Sequence, residues 1–479
     1  MTSRFSLNSF IINFSTTLLL IIGLIAVYSS TFSANTIAEG KGTINKQLVF
    51  VIIGIIIYFV LTKINYQIYK LPQIAIIIYL MLLALLVGVL FTDPVNETTR
   101  WIQLGFVNIQ PSEYAKIVLI ILNGAILSGK PESFDKVRML ISAVLSFIKI
   151  PIIIVERIHA FFNDDILKLI FTAVITLPVV FLVFIQPSLG NSLIILLIWV
   201  LMYFMSLKNQ LKFAALIVFF LLGINIFFNR FNGGLEYMHS GINVVLAGTT
   251  LAVVLIIGYV SRLKLYLIIV FLVAGFLAGT LAQYVWTGPV LKDYQKERVE
   301  SLVKSCANET DVDVIRAECW QIRQSTIAIG SGKVWGKGFL KGTQSKLKYL
   351  PYAYTDFIFA SIAEEFGFVG GLFIILLFLS IILAILFASN QVKERYGSYI
   401  LIGVFFMFLL HVFVNVGMNI GILPVTGIPL PFISYGGNSV FVNLIAIGIV
   451  QSVIRFNNDV DIARRGVLTS ESPLEIKSF

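Results

Sequence analysis

The sequence predicts an all-α polytopic membrane protein with about twelve spanning helices and one large loop outside the bilayer. Three observations predict it. Of 479 residues, 58% are hydrophobic and only 13% are charged, whereas soluble domains carry roughly 25% charged residues. The apolar residues gather in runs close to the roughly 20 needed for a helical span. Lys and Arg concentrate in alternate connections between those runs, the pattern of loops held on the cytoplasmic side.

The runs lie near 10–30, 47–63, 71–91, 113–128, 166–185, 191–206, 212–228, 242–260, 264–285, 357–387, 399–421 and 433–454. An even count returns the chain to the side where it began. The first run, Phe10 to Tyr28, is too long for a signal-peptide core and lacks a convincing cleavage site, so it reads as a retained helix.

The basic residues choose the side. Lys63 and Lys70, then Lys130, Lys136 and Arg138, then Lys208 and Lys212 fall in alternate connections. Arg262 and Lys264, Lys393 and Arg395, and Arg455, Arg464 and Arg465 continue the series. Those connections and both termini are therefore expected in the cytoplasm. The formal charge of +10 is explained by topology and is not read as nucleic-acid binding. Connections 92–112, 186–190, 229–241, 286–355 and 422–432 then face outward.

Residues 1–479 read as a single membrane-embedded domain. Within it, 129–165 is a cytoplasmic insertion whose apolar part, 137–160, is broken by Lys149 and Pro151. It is expected to lie on the inner membrane surface, because a thirteenth span would place the later Lys and Arg pairs outside. The loop 286–355 is the one long hydrophilic region, and loops of that size are usually functional or disordered. Its turn glycines and its Trp320, Trp335 and Tyr349 suggest an ordered, docked loop. Residues 456–479 form a cytoplasmic tail.

Several residues can carry chemistry. Arg100 precedes Glu113 and Lys116, which stand three apart at the start of a span and share a helix face. Ionisable groups at membrane depth either line a polar cavity or pair with each other, and both readings stay open here. In the large loop, basic residues such as Arg298 and Lys337 outnumber acidic ones and stand among glycines. That suits phosphate groups, and a carboxylate among such cations is a candidate general base; a solvated charged loop is the plainer reading. GSGK lacks the full Walker spacing. The two cysteines, Cys306 and Cys319, share this exported loop and are candidates for a disulfide, with two free thiols as the alternative. His159, His239 and His411 are scattered, and no Cys/His cluster has zinc spacing. The sequons at Asn96 and Asn308 are explained by chance. Residues 421–439 hold three prolines and four glycines and cannot form one helix. Non-helical backbone at membrane depth must be buried in protein or line a cavity.

RWIQLGF with QPSEYAK, then QPSLGN, DYQKERV, RQSTIAIGSGK with GKG and GTQ, LPYAYTDFIFASIAEEFGFVGG and GILPVTGIPLPFISYGG follow one another along most of the chain. In that order they resemble the SEDS family of shape, elongation, division and sporulation proteins. DYQKERV and LPVTGIPLPF look more like its RodA branch than like FtsW. The resemblance implies a peptidoglycan glycosyltransferase of the bacterial plasma membrane that serves cell-wall elongation and cell shape. Its substrates would be lipid II and the nascent glycan on its undecaprenyl-pyrophosphate carrier. Its expected partners are a class B penicillin-binding protein, the elongation machinery and membrane lipids, with no nucleic acid.

The family's catalytic aspartate lies in the large outer loop, shortly before Gln324 and Ser325. The usual Asp-Pro-x-Gly context is absent here, and back-counting reaches Val314, so the role is carried to Asp313, with Asp311 as the alternative. Arg100, Glu113, Lys116, Arg298, Gln324, Ser325 and Lys337 are carried over as substrate-binding residues. No metal ligand set is implied, although the resemblance allows a divalent cation, magnesium or manganese. Ser188 stands where the family usually has aspartate. Family members normally have ten spans, so 207–262 reads as an extra helix pair. Two other functions fit a polar membrane bundle: a lipid II flippase or transporter, and a non-catalytic scaffold for a penicillin-binding protein.

Overall fold

The computed structural model describes residues 2–31, 37–92, 99–104, 107–129, 164–186, 188–207, 273, 275–280, 283–284, 320–344, 346–347, 349–350 and 353–470. The chain divides into two units, Met1–Met202 with Arg298–Phe479, and Tyr203–Glu297. The site described below lies in the first.

Helices α1 (Thr2–Thr31), α2 (Ile37–Lys63) and α3 (Pro72–Val89) lead to strands β1 (Ile102–Leu104) and β2 (Val107–Ile109). Then follow α4 (Pro111–Leu127), α5 (Asp164–Ile185), α6 (Leu189–Ser206) and α7 (Trp320–Gly332). Last come α8 (Ile358–Gln391), α9 (Arg395–Asn419) and α10 (Gly437–Ser470). Among the described residues, eight helices are long and apolar enough to cross a membrane: α1, α2, α3, α5, α6, α8, α9 and α10. The chain is thus an all-α polytopic membrane protein. The expected runs at 212–228 and 242–260, the surface helix at 137–160 and most of 264–285 lie outside the described residues.

The expected run at 113–128 is α4, and it differs from the others. Pro111 opens it in the first turn, where a missing N–H is no loss. Nearly every residue from Pro111 to Leu127 is buried, because α3, α5, α9 and α10 pack round it. Leu82, Leu86, Ala115, Leu119, Val179, Val183 and Ile195 form one core across α3, α4, α5 and α6. The outer helices instead turn an apolar face outward, such as Ile52, Ile56 and Phe59 on α2 and Ile76, Ile77 and Leu80 on α3. Lipid is the solvent that such faces fit.

The RWIQLGF motif supplies β1, which pairs antiparallel with β2, Ile102 opposite Ile109. Asn438, at the start of α10, ties this hairpin down. Its Oδ1 accepts from the Gln110 amide at 3.1 Å and its Nδ2 donates to the Asn108 carbonyl at 2.6 Å.

The proline-rich stretch after α9 lies inside the bundle, with Ile428, Leu430, Phe432, Ile433 and Ser434 all buried. Its polar backbone finds partners, as buried amides must. The Ser434 hydroxyl donates to the Thr355 carbonyl at 2.6 Å, and the Tyr435 amide donates to the Tyr354 carbonyl at 2.9 Å. Gln47 of α2 brackets the turn, donating to the Ser434 carbonyl and accepting from the Gly436 amide. α1 comes close enough at Gly23 that a Cβ there would stand 2.5 Å from the Phe432 carbonyl.

Candidate active site

A buried ion cluster joins α4, α6 and α9. Lys116 Nζ donates to Glu113 Oε2 at 2.8 Å and to Asn191 Oδ1 at 3.3 Å, and it lies 2.9 Å from His411 Nε2. His411 Nδ1 sits 2.7 Å from the Met407 carbonyl, which can only accept. The proton therefore belongs on Nδ1, and Nε2 offers its lone pair to the ammonium. All three Lys116 protons are spent inside the bundle. Asn191 continues the network by donating to Ser112, whose hydroxyl also accepts from Gln110. An ion pair this deep is tolerated only with its charges paired and further hydrogen-bonded, and here Glu113, Asn191 and His411 surround the ammonium.

From His411 a polar ridge climbs α9, because Asn415 and Asn419 follow at one-turn intervals on the same face. Asn415 Nδ2 reaches the carbonyls of Asp356 at 2.9 Å and Ile428 at 2.8 Å. Asn419 accepts from the Ala360 amide at 3.1 Å and donates to the Asp356 carbonyl at 3.1 Å. The Ser325 hydroxyl, on α7, donates to the Asn419 carbonyl at 2.7 Å. The ridge thus fastens α7, the start of α8 and the proline-rich turn to one helix.

The third construction is a turn clamped onto a broken helix. α8 kinks at Gly367, whose φ is +67°. The turn after α7 fills the break, and Gly336, with φ +82°, meets Gly367 backbone to backbone. The Lys337 amide donates to the Glu364 carbonyl at 3.0 Å and the Gly338 amide to the Glu365 carbonyl at 2.9 Å. In return the Phe368 amide donates to the Lys333 carbonyl at 2.8 Å. Side chains lock the same joint. Fully buried Glu364 accepts from Lys337 Nζ at 2.6 Å, from the Thr343 amide and hydroxyl at 2.8 Å each, and from the Gln344 amide at 3.2 Å. Glu365 accepts from the Ser29 hydroxyl of α1 at 2.5 Å. Near the start of α8, the Tyr354 and Tyr435 rings meet edge to face, centroids 5.6 Å apart.

The site residues expected from sequence fall into three groups. Glu113 and Lys116 are brought together, and Gln324 and Ser325 are buried on α7 just before the turn that carries Lys337. Arg100 Nε donates to the Gln186 carbonyl at 3.2 Å. Asp311, Asp313, Arg298, Cys306 and Cys319 lie outside the described residues. The sequence reading passed over His411, Asn415, Asn419 and Glu364. Three polar residues at spacing four in an otherwise apolar helix were the available signal for the first three, and a Glu-Glu pair followed by glycine for the fourth. Among the described residues no three His, Cys, Asp or Glu side chains converge to hold a metal, and Glu364 is already saturated.

Fold and site define a polytopic membrane protein with a buried ion cluster wired to a rigid polar turn at one end of the bundle. The family model described as cell cycle protein, covering FtsW, RodA and SpoVE, matches residues 10–234 and 238–459, and the chain belongs to that family. It is 30% identical over 445 residues to peptidoglycan glycosyltransferase RodA of Treponema pallidum (strain Nichols), covering 90% of this chain and 94% of the relative. It is 29% identical over 440 residues to peptidoglycan glycosyltransferase MrdB of Escherichia coli (strain K12), covering 91% and 92%. Among solved structures it resembles a chain of a peptidoglycan synthase complex that coordinates polymerization and crosslinking (TM-score 0.59, 21% identity, 93% and 97% covered). It also resembles RodA of Thermus thermophilus (TM-score 0.53, 21% identity, 93% and 95% covered).

Proposed function

We infer that the chain is a peptidoglycan glycosyltransferase that extends glycan strands from lipid II during cell-wall elongation. The observation that carries this is the near full-length match to relatives named for that activity. The acceptor hydroxyl attacks the anomeric carbon of the donor sugar. A new C–O bond forms, the bond from that carbon to the pyrophosphate oxygen breaks, and undecaprenyl pyrophosphate leaves with the electron pair.

Asp313, with Asp311 as the alternative, is the proposed base for the acceptor proton, and Arg298 is the proposed cation for the leaving pyrophosphate. The described residues support this chemistry from below. The Glu113–Lys116–His411 cluster and the α9 ridge hold the polar interior of the bundle in shape, and the Lys337–Glu364 clamp fixes the turn that follows the catalytic segment. A site held this rigidly keeps its dipoles oriented before the reaction begins. The working surface is the outward one, with both termini cytoplasmic in a bacterial plasma membrane. The strands made are crosslinked by a class B penicillin-binding protein within the elongation machinery.

The test is glycan-strand formation from lipid II by the purified protein, with and without its transpeptidase. A positioned general base is worth about 10²–10⁴-fold in rate, so Asp313→Asn should lose most polymerisation and keep membrane insertion. Activity in Asp313→Asn with none in Asp311→Asn would swap the two roles. Lipid II moved across the bilayer without strands being formed would replace polymerase by flippase.

A further inference from the structure

We propose that the turn Lys333–Phe339 is an interfacial anchor seated in the phospholipid headgroups of the leaflet it faces, with Trp335 as its wedge. The turn is ordered yet strongly apolar outward. Trp335 is 80% exposed, Phe368 beside it 65%, Val334 52% and Phe339 43%. The backbone that carries these side chains is held in place. Lys333 and Val334 accept from the Phe368 and Val369 amides, and Lys337 and Gly338 donate to the Glu364 and Glu365 carbonyls. The Phe339 ring rests on Phe366, centroids 6.3 Å apart.

The patch is continuous with the lipid-facing surface of the bundle. Phe368, Leu372, Leu376, Leu379, Leu383 and Phe387 form one exposed stripe down α8, at the spacing of a single helix face. The turn caps the upper end of that stripe. Its depth follows from helix geometry. From Gly367 to Gln391 α8 rises roughly 36 Å at 1.5 Å per residue, whereas the hydrocarbon core is about 30 Å thick. With Gln391 at one boundary, as the basic Lys393 and Arg395 directly after it indicate, Gly367 and the turn docked on it fall in the opposite headgroup layer. Trp favours that layer because its ring is apolar and its N–H is polar. Lys333 on this turn and Lys341 just after it are exposed, and their ammonium groups suit lipid phosphates. Lipid therefore fits this patch better than a protein partner: the surface prolongs one already in lipid, and its charges match phospholipid.

The anchor has a consequence that rests on the glycosyltransferase reading: it holds the Lys337–Glu364 clamp at the depth where the pyrophosphate of a lipid-linked substrate lies.

The full chain in nanodiscs of phosphatidylcholine and phosphatidylglycerol tests the anchor, with Trp335→Phe isolating one tryptophan's fluorescence by difference. Lipids brominated near the headgroup should quench the Trp335 signal more than lipids brominated near the chain end, and iodide should quench it little. A higher phosphatidylglycerol share should strengthen that quenching in the wild type, and less so in Lys333→Gln/Lys341→Gln. Quenching by iodide and by neither lipid would place Trp335 in water and overturn the proposal. Protection from iodide without lipid quenching would mean protein covers it, and would overturn it equally. The readout needs no lipid II, so a protein that fails to polymerise can still carry the anchor.

Discussion

The Lys116 ammonium and the His411 imidazole meet 2.9 Å apart at the centre of the bundle, and the ring accepts from the cation. The pair joins α4 to α9 across 295 residues of sequence. It works only because Glu113 supplies the compensating charge and the Met407 carbonyl fixes the tautomer.

Lys116→Met keeps much of the stem but strands the Glu113 carboxylate in the core. Removing one partner of a buried pair typically costs about 3–5 kcal/mol, whereas replacing both is often close to neutral. A thermal-unfolding series in detergent should therefore show Lys116→Met strongly destabilised and Glu113→Gln/Lys116→Met largely recovered. Polymerisation by the double variant should return in step with stability, as expected of a cluster that shapes the cavity. A stable double variant with no activity would instead mean that Lys116 itself contacts the substrate.

Gly336 and Gly367 both sit at positive φ with backbone against backbone. A Cβ at either would collide with main-chain atoms of the other's segment and would also strain the left-handed conformation. Gly336→Ala and Gly367→Ala should each detach the turn from α8. Limited trypsin digestion should then cut faster after Lys333 and Lys341, and polymerisation should fall. Equal cleavage rates in wild type and both variants would show that the joint does not hold the turn.

Asn419 joins α7 and the start of α8 to α9, so its loss should be felt beyond its own helix. Asn419→Leu takes its side-chain acceptor from the buried Ala360 amide and leaves the Asp356 carbonyl with Asn415 alone of its two amide donors; a buried group left unsatisfied costs about 1–3 kcal/mol. Ser325→Ala removes one hydroxyl bond and should cost only about 1 kcal/mol. The expected order in melting temperature is wild type, then Ser325→Ala, then Asn419→Leu, and activity should follow it.

The orientation of the bundle is tested by reporter fusions. Fusions at Lys130, Arg262 and Arg395 should report the cytoplasm, and one at Lys341 the outside. An outward Arg262 would end the twelve-span arrangement and with it the extra helix pair at 207–262.

Much of the architecture was legible before any coordinates. Apolar runs of spanning length can do little but form helices in lipid, because no water is present to satisfy an open backbone. That constraint acts on each segment separately, so α1, α2, α3, α5, α6 and α8 to α10 could be read one by one. The Glu113–Lys116 pair was also visible, since three residues on a helix fix a shared face. So was the burial of the proline-rich turn, since neither helix nor lipid would accept it.

What tertiary structure alone decided is which polar residues meet. His411 looked like a stray histidine because its partner lies on another helix, and periodicity says nothing about which helices are neighbours. Asn415, Asn419 and Glu364 acquire a role only once α7, the proline-rich turn and the kinked α8 close around them. Sequence also could not tell that Lys116 would have no proton to spare: spacing reveals that two charges can pair, but only packing reveals that Asn191 and His411 take what remains. Composition and local pattern determined that this chain is a membrane bundle of its family, because lipid imposes its demands on every span alone. Long-range packing decided the site, because a buried charge is satisfied by whatever the fold brings to it.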